Sequence, residues 1–177
     1  MAEMTFKLSE AIPVLERTPE VLKTLLSGLP NDWIYNNEGP ETWRPFDVMG
    51  HLIHGEKTDW IPRTRIILSN AENKTFETFD RFAQFKLSQG KTLEDLIDEF
   101  AILRKQNLDY LKSLNISLQD LTKTGTHPQL GVVTLRQLLA TWVVHDLGHI
   151  VQVSRVMARQ YKSEIGVWTK FFSVMQD

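Results

Sequence analysis

The sequence predicts an all-α protein, a four-helix bundle with a short extra C-terminal helix. Its apolar residues recur every three or four positions along almost the whole chain, which is the spacing of amphipathic helices. The alternation typical of strands is confined to short pieces such as Gly131-Val132-Val133-Thr134. The 177 residues suffice to bury one core and show no repeat or shift in composition, so we expect a single domain over residues 1–177.

Proline and capping residues define the first two predicted helices. Thr18 is placed as an N-cap with Pro19 at the first helical position. Pro30 helps to end this first helix. A second helix is predicted over residues 46–68, where Pro62 should kink or divide it.

The second half of the sequence predicts two long helices and a short one. Residues 70–91 form a long polar connection with several phenylalanines, for which we expect a short helix or a lid over the bundle. Thr92 caps a third helix with a clear apolar face, and Thr134 caps a fourth that runs to about residue 160. Residues 165–175 form the short terminal helix.

Composition and charge exclude several classes of function. The 20 basic and 22 acidic residues are interleaved and give a formal net charge of −2, so we expect neither a nucleic acid nor a membrane as partner. The N-terminal residues lack the pattern of a signal peptide and no stretch approaches the length of a membrane span, which predicts a cytoplasmic protein. Cysteine is absent, which excludes disulfides, cysteine-ligated metals and a cysteine nucleophile.

Two histidines lie on the face of the fourth helix that is expected to be buried. His145 and His149 continue an inward series at spacings of three or four residues, so both rings can reach one metal ion. The alternative is that each is a core histidine hydrogen-bonded to a neighbour. A metal ion is favoured because it satisfies both lone pairs, whereas a buried polar group without a partner costs roughly 1–3 kcal/mol.

His51 on the second helix is the predicted third ligand. It lies beside Val48, Leu52 and Gly55, near the apolar stripe, whereas His54 is displaced by about 60° around the helix axis. We interpret His54 as a solvated or pocket-edge residue, with support of a metal ligand as the alternative.

Other residues near these histidines receive different roles. Gln152, three residues after His149, is a candidate for supporting a ligand or contacting substrate. His127 lies in a turn-rich stretch, residues 122–131, and is predicted to be an exposed loop histidine that at most borders the mouth of the site.

Three carboxylate side chains are predicted to lie on the charged surface of the protein: Asp146, Glu56 and Asp59. For Glu56 and Asp59, the alternative is that they supply a carboxylate to the metal site. Three tryptophans are assigned to the core or the pocket wall: Trp43, Trp60 and Trp142.

Three motifs occur in order along nearly the whole chain. They are Arg17-Thr18-Pro19-Glu20 with Leu25-Leu26-Ser27-Gly28-Leu29-Pro30, then Trp43 followed by Gly50-His51-Leu52, then His145-x-x-x-His149-x-x-Gln152. In this combination the chain resembles the DinB superfamily, the DinB/YfiT-like proteins. The resemblance implies a four-helix bundle, often dimeric, with a histidine triad that binds zinc, nickel or a similar divalent metal. It places the ligands at His51, His145 and His149, and leaves out His54.

Three neutral imidazoles leave coordination positions open on a divalent metal, as in catalytic sites. Such an ion can lower the pKa of a bound water towards ~7 and can hold a thiol as its thiolate. The resemblance adds relatives that use bacillithiol, mycothiol or glutathione. Our first hypothesis is therefore a metal-dependent transferase that activates a low-molecular-weight thiol towards an electrophilic small-molecule substrate. The alternatives are a metal-dependent hydrolase, with water as nucleophile, and a non-enzymatic metal- or ligand-binding bundle of the stress response.

Overall fold

Seven α-helices and a two-stranded hairpin make up the computed structural model, which describes residues 4–176. Met1–Glu3 and Asp177, part of the predicted domain, lie outside the described residues. The helices are α1 (Leu8–Leu26), α2 (Asn31–Tyr35), α3 (Pro45–Thr58), α4 (Trp60–Leu68), α5 (Ala83–Leu87), α6 (Leu93–Ser113) and α7 (Leu135–Arg159). The strands are β1 (Thr124–His127) and β2 (Gly131–Thr134).

The predicted four-helix bundle is confirmed. Helix α1 packs against α6 and α7, and α3, which α4 continues, packs against the same two helices. The cyclic order around the bundle is therefore α1, α6, α3, α7. Across residues 4–176, we find no helix with both the length and the apolar character that crossing a bilayer requires.

Helix α1 begins earlier than the sequence predicted. It starts at Leu8 and passes through Pro19, so the interpretation of Thr18 as an N-cap is wrong. One buried stripe continues through the proline, and its packing outweighs the backbone hydrogen bond that proline cannot donate. The helix ends before Gly28, whose φ of +74° suits a glycine, rather than at Pro30. The stripe consists of Ala11, Leu15, Thr18, Leu22 and Leu26.

The second predicted helix is divided, although not at Pro62. Asp59 separates α3 from α4 with φ −110° and ψ −74°. Pro62 is the third residue of α4, where a backbone N–H would have no acceptor within the helix, so proline is tolerated there. Helix α3 is buried on all sides over residues 45–56, which places every polar side chain of that stretch inside the protein.

Residues 70–91 cover α3 and connect to the hairpin. Phe76 N donates to Thr126 O over 2.9 Å, so the start of the segment runs beside β1. The predicted short helix is confirmed as α5, which packs on α3. Gly50 permits this contact, because a Cβ at that position would overlap the hydroxyl of Ser88.

The hairpin precedes α7. Strand β2 coincides with the strand-like stretch seen in the sequence. Strand β1 lies within residues 122–131, which were expected to be turns, so His127 ends a strand and the loop assignment is wrong. The Nδ1 of His127 accepts the backbone N–H groups of Gln129 and Leu130 over 3.1 and 3.2 Å.

Both predicted helix caps are present, and the C-terminal segment is helical in a different form. Thr92 Oγ1 accepts from Asp95 N over 3.1 Å, and Thr134 Oγ1 accepts from Gln137 N over 3.2 Å. In place of an α-helix over residues 165–175, the chain forms two short 3-10 helices, Gly166–Phe171 and Ser173–Met175.

A buried ionic network centred on Arg104 crosses the bundle core. The guanidinium donates to Glu56 Oε1 over 2.8 Å, to Asp146 Oδ2 over 2.5 Å and to Leu15 O over 2.7 Å. Burial alone would lower the pKa of Arg104, but the two carboxylates raise it. The predicted surface positions of Glu56 and Asp146 are wrong, because an arginine from a different helix neutralises both of them inside the core.

Candidate metal centre

The three histidines predicted to bind a metal come together between α3 and α7. His51 Nε2 and His149 Nε2 each lie 3.1 Å from His145 Nε2. The three candidate ligand atoms all lie within 4.8 Å of one another. Two nitrogens that bind one zinc ion at tetrahedral angles lie about 3.3 Å apart. The observed spacing therefore fits a shared ion.

In two of these rings, the Nδ1 atom is hydrogen-bonded to the side-chain oxygen of a glutamine. His51 Nδ1 lies 3.1 Å from Gln84 Oε1, and His149 Nδ1 lies 2.8 Å from Gln152 Oε1. An amide oxygen only accepts hydrogen bonds, so each Nδ1 carries the proton and each Nε2 presents its lone pair to the centre. His145 Nδ1 is buried and has no hydrogen-bond partner within residues 4–176.

Burial keeps two of the imidazoles uncharged. It lowers the pKa of His51 to about 3, with further lowering by the neighbouring charges of His149 and His145. It also lowers the pKa of His149 to about 4, together with the charge of His145. Since only an unprotonated nitrogen binds a metal, both rings are ready to act as ligands at neutral pH.

Aromatic rings surround the triad. The Trp43 ring centroid lies 4.8 Å from that of His51, and the Trp60 centroid lies 5.1 Å from that of His145. Phe79 packs edge-on against His51 at 5.5 Å. These rings limit the access of water from the sides, as expected for tryptophans assigned to the core or the pocket wall.

His54 is buried, and the prediction that it is a solvated or pocket-edge residue is wrong. It is 6% exposed and its ring packs at a tilt against Phe79, with 4.7 Å between the ring centroids, because residues 70–91 cover this face of α3. Its Nδ1 finds no hydrogen-bond partner in the part of the chain that the structure describes. His54 is not one of the three histidines whose ligand atoms come together.

The triad opens into a cavity of about 860 Å³, within the range of small-molecule sites. One wall consists of Thr78, Phe79, Arg81 and Phe82 from the covering segment, and residues 127–130 of the hairpin form another. His127 therefore borders the cavity, as the sequence suggested. Gln152 lines it as well, next to the ring that it hydrogen-bonds.

Charged pairs line the same cavity. Asp59 Oδ1 contacts Arg63 Nε, and Glu38 accepts three hydrogen bonds from Arg155 at 3.2, 2.9 and 2.5 Å. Burial raises the pKa of Asp59, although Arg63 and His145 act in the opposite direction. The predicted outer-face position of Asp59 is wrong, and its place on the cavity wall fits the alternative of a carboxylate at the site. Arg81 also lines the cavity and is exposed.

Comparison with known proteins identifies the family of this chain. A family model described as the DinB superfamily matches residues 14–153. This chain belongs to the DinB superfamily. No curated protein matches it.

This DinB-superfamily chain is similar to a solved structure, YfiT from Bacillus subtilis, which is described as "a probable metal-dependent hydrolase with an unusual four-helix bundle topology". The two chains are 18% identical, and they align with a TM-score of 0.73 over 90% of this chain and 92% of YfiT. At this level of identity, the similarity shows the four-helix fold alone.

The main residue that the sequence did not reveal is Gln84. It lies 33 positions from His51, in a segment without helical periodicity, and no local pattern marks it. Gln152 was found because it follows His149 by three residues on the same helix face.

Proposed function

We propose that this protein is a metal-dependent enzyme in which His51, His145 and His149 hold one divalent ion. The convergence of three Nε2 atoms, two of them with their protons fixed on Nδ1, carries this proposal. When bound by three imidazoles, zinc or nickel keeps coordination positions open and lowers the pKa of a thiol or water, which supplies a nucleophile at neutral pH.

The chain's own residues prepare this site. Gln84 and Gln152 fix the orientation and tautomer of two ligands. Because both are neutral amides, they add no negative charge, and the full positive charge remains available to stabilise an anionic nucleophile. Trp43 and Phe79 shield the rings from bulk water, which strengthens electrostatic interactions there.

For the reaction, we favour thiol transfer to an electrophilic small molecule. A low-molecular-weight thiol would supply the sulfur that the cysteine-free chain lacks. The thiol gives its proton to solvent water and its sulfur forms a bond to the electrophilic carbon, while the bond from that carbon to the leaving group breaks and its electron pair departs with the leaving group. A cavity of about 860 Å³ has room for both reactants. Arg81 on its wall offers a guanidinium to the carboxylates that cellular thiols carry.

Hydrolysis is the second candidate, and Asp59 is the observation that favours it. A carboxylate with a raised pKa on the cavity wall is suited to accept a proton from an attacking water. The description of YfiT as "a probable metal-dependent hydrolase" agrees with this alternative. Hydrolysis needs no thiol, which separates the two reactions experimentally.

The deciding experiment incubates zinc- and nickel-loaded protein with alkyl halides, epoxides, esters and amides, each with and without glutathione or bacillithiol. We expect consumption of an electrophile only when a thiol is present. His145→Ala should lose this activity, and His54→Ala, a buried histidine outside the triad, serves as the matched control. Turnover without a thiol would replace transfer by hydrolysis. A blank result with every pair would contradict the enzymatic proposal and favour a metal-binding bundle.

A further inference from the structure

Arg63 is a buried cation whose guanidinium finds no hydrogen-bond acceptor in the described part of the chain. It lies on α4 and is 7% exposed. Its Nε contacts Asp59 Oδ1, but that oxygen has no hydrogen-bond partner among residues 4–176, so charge alone holds the two groups together. Each N–H of a guanidinium is a donor, and a buried donor without an acceptor destabilises a folded protein. An acceptor from outside the chain would satisfy this side chain.

Phe76 fixes the guanidinium on the wall of the cavity. The ring of Phe76 is buried, and Arg63 Cζ lies 5.2 Å from its centroid. Gly125 leaves the space for this ring, because a Cβ at that position would lie 2.6 Å from it. Asp59 contacts one edge of the guanidinium while the aromatic ring supports its face. Arg63 is therefore held in place on the same cavity into which the triad opens.

His127 adds a second donor beside the same ring. It packs edge-on against Phe76, with 6.4 Å between the ring centroids, and it lines the cavity. Its Nδ1 accepts two backbone N–H groups, so the proton of the neutral imidazole lies on Nε2. Burial lowers the pKa of His127, and the nearby charge of Arg63 lowers it further, which keeps the ring neutral at neutral pH. His127 thus contributes an N–H donor without a charge.

We propose that Arg63 and His127 form a subsite that binds the carboxylate of the electrophilic substrate. This inference rests on the proposed function, because it assigns the class of substrate for the same cavity. The subsite adjoins the triad, since Trp60, the neighbour of Asp59 in the chain, packs against His145 with 5.1 Å between the ring centroids. A substrate whose carboxylate lies on Arg63 can therefore direct its reactive carbon towards the three histidines.

The charges at this subsite favour a carboxylate over a phosphate. Asp59 and Arg63 neutralise each other and His127 is uncharged, so the subsite offers directed N–H groups without the excess positive charge that suits a dianion. The planar guanidinium matches the two oxygens of a carboxylate. Burial separates the roles of two arginines: Arg63 is buried and suits the smaller electrophile, whereas Arg81 is exposed and suits the larger thiol.

The first test titrates the metal-free full chain with phenylacetate in a calorimeter, so that the carboxylate has no metal to bind. We expect saturable binding of phenylacetate. Phenylacetamide, its neutral isostere, should bind at least about 10-fold more weakly, because it loses a charge-assisted hydrogen bond. This comparison in wild type needs no variant. Equal affinity for the two probes, or no saturable binding of phenylacetate, would overturn the proposal.

Two arginine variants locate the binding in the same titration. Arg63→Lys keeps a positive charge beside Asp59 but loses the planar fork, so it should weaken phenylacetate binding about 10-fold. Arg65→Lys is the matched control: Arg65 lies on the same helix, is exposed and packs over Tyr110, so this variant should bind as wild type does. An Arg63→Lys protein with the affinity of wild type would place the carboxylate elsewhere and contradict the subsite.

The second test assigns the carboxylate to the electrophile. Zinc-loaded protein is given chloroacetate or chloroacetamide, from which sulfur displaces chloride, together with 2-mercaptoethanol, a thiol without a carboxylate. Arg63→Lys should raise the KM for chloroacetate about 10-fold and leave that for chloroacetamide unchanged. A KM that rises for glutathione instead of chloroacetate would assign the subsite to the thiol and overturn the proposal. Binding of phenylacetate as expected, but no turnover with any pair, would support the subsite and contradict the proposed function.

Discussion

Replacing Gln84 by leucine should weaken metal binding without removing a ligand. The side chain of Gln84 is buried, and its Oε1 accepts the proton of His51 Nδ1 over 3.1 Å. Leucine has a similar size and no acceptor. In the metal-free variant, His51 can move its proton to Nε2 and donate to His145, 3.1 Å away. The metal-bound state has no such option, because Nε2 is then occupied and Nδ1–H stays buried without a partner.

The loss in affinity follows from that difference between the two states. An unsatisfied buried donor costs roughly 1–3 kcal/mol, and this cost falls on the metal-bound state alone. It corresponds to a dissociation constant raised by about 5- to 150-fold. Residues that hold metal ligands in place generally contribute about 10- to 100-fold in affinity, which agrees with this range.

A competition titration of zinc against a chromophoric chelator measures this change, with the thermal midpoint of the metal-free protein as a check on folding. Gln84→Glu keeps an acceptor at the same position and should retain tight binding. Gln89→Leu, an exposed glutamine in the same segment, should bind zinc as wild type does. A Gln84→Leu protein with the affinity of wild type would refute the role of Gln84 in orienting His51.

Three further predictions concern stability. Metal-free protein should become less stable as pH falls below about 6.5, by up to about 1.4 kcal/mol per pH unit for each of His51 and His149. The reason is that both rings have a lower pKa in the folded chain than in the unfolded chain, so protons bind to the unfolded chain at higher pH. An unchanged urea midpoint between pH 6.5 and 4.5 would contradict this. Arg104→Met should cost about 3–5 kcal/mol in chemical denaturation, since two buried carboxylates lose their counter-charge. Gly125→Ala should cost about 1–3 kcal/mol, seen as a lower melting temperature, because its Cβ would lie 2.6 Å from the ring of Phe76.

Helical periodicity explains why the histidine triad could be predicted. His145 and His149 lie on one face of α7 wherever the helix begins, and the apolar neighbours of His51 point it towards the same interior. The caps at Thr92 and Thr134 are equally local, since each depends on a residue three positions away.

Long-range partners explain what could not be predicted. Arg104 lies 42 positions from Asp146 and 48 from Glu56. Nothing in the sequence near either carboxylate indicates this partner, so both were predicted to lie on the surface although they are buried. The capping signal at Thr18 and Pro19 was also misleading, because the packing of one continuous buried stripe outweighed it. In residues 70–91, contacts with α3 and β1 determine the path of the chain, and no repeat in the sequence encodes them.

Elemental mass spectrometry on untagged protein tests the three-histidine centre most directly. We expect about one zinc or nickel ion per chain in wild type, as for a mononuclear site. The ion should be lost in His51→Ala, His145→Ala and His149→Ala, and kept in His54→Ala. A wild-type protein that stays metal-free after reloading, or three triad variants that all retain the ion, would contradict the centre.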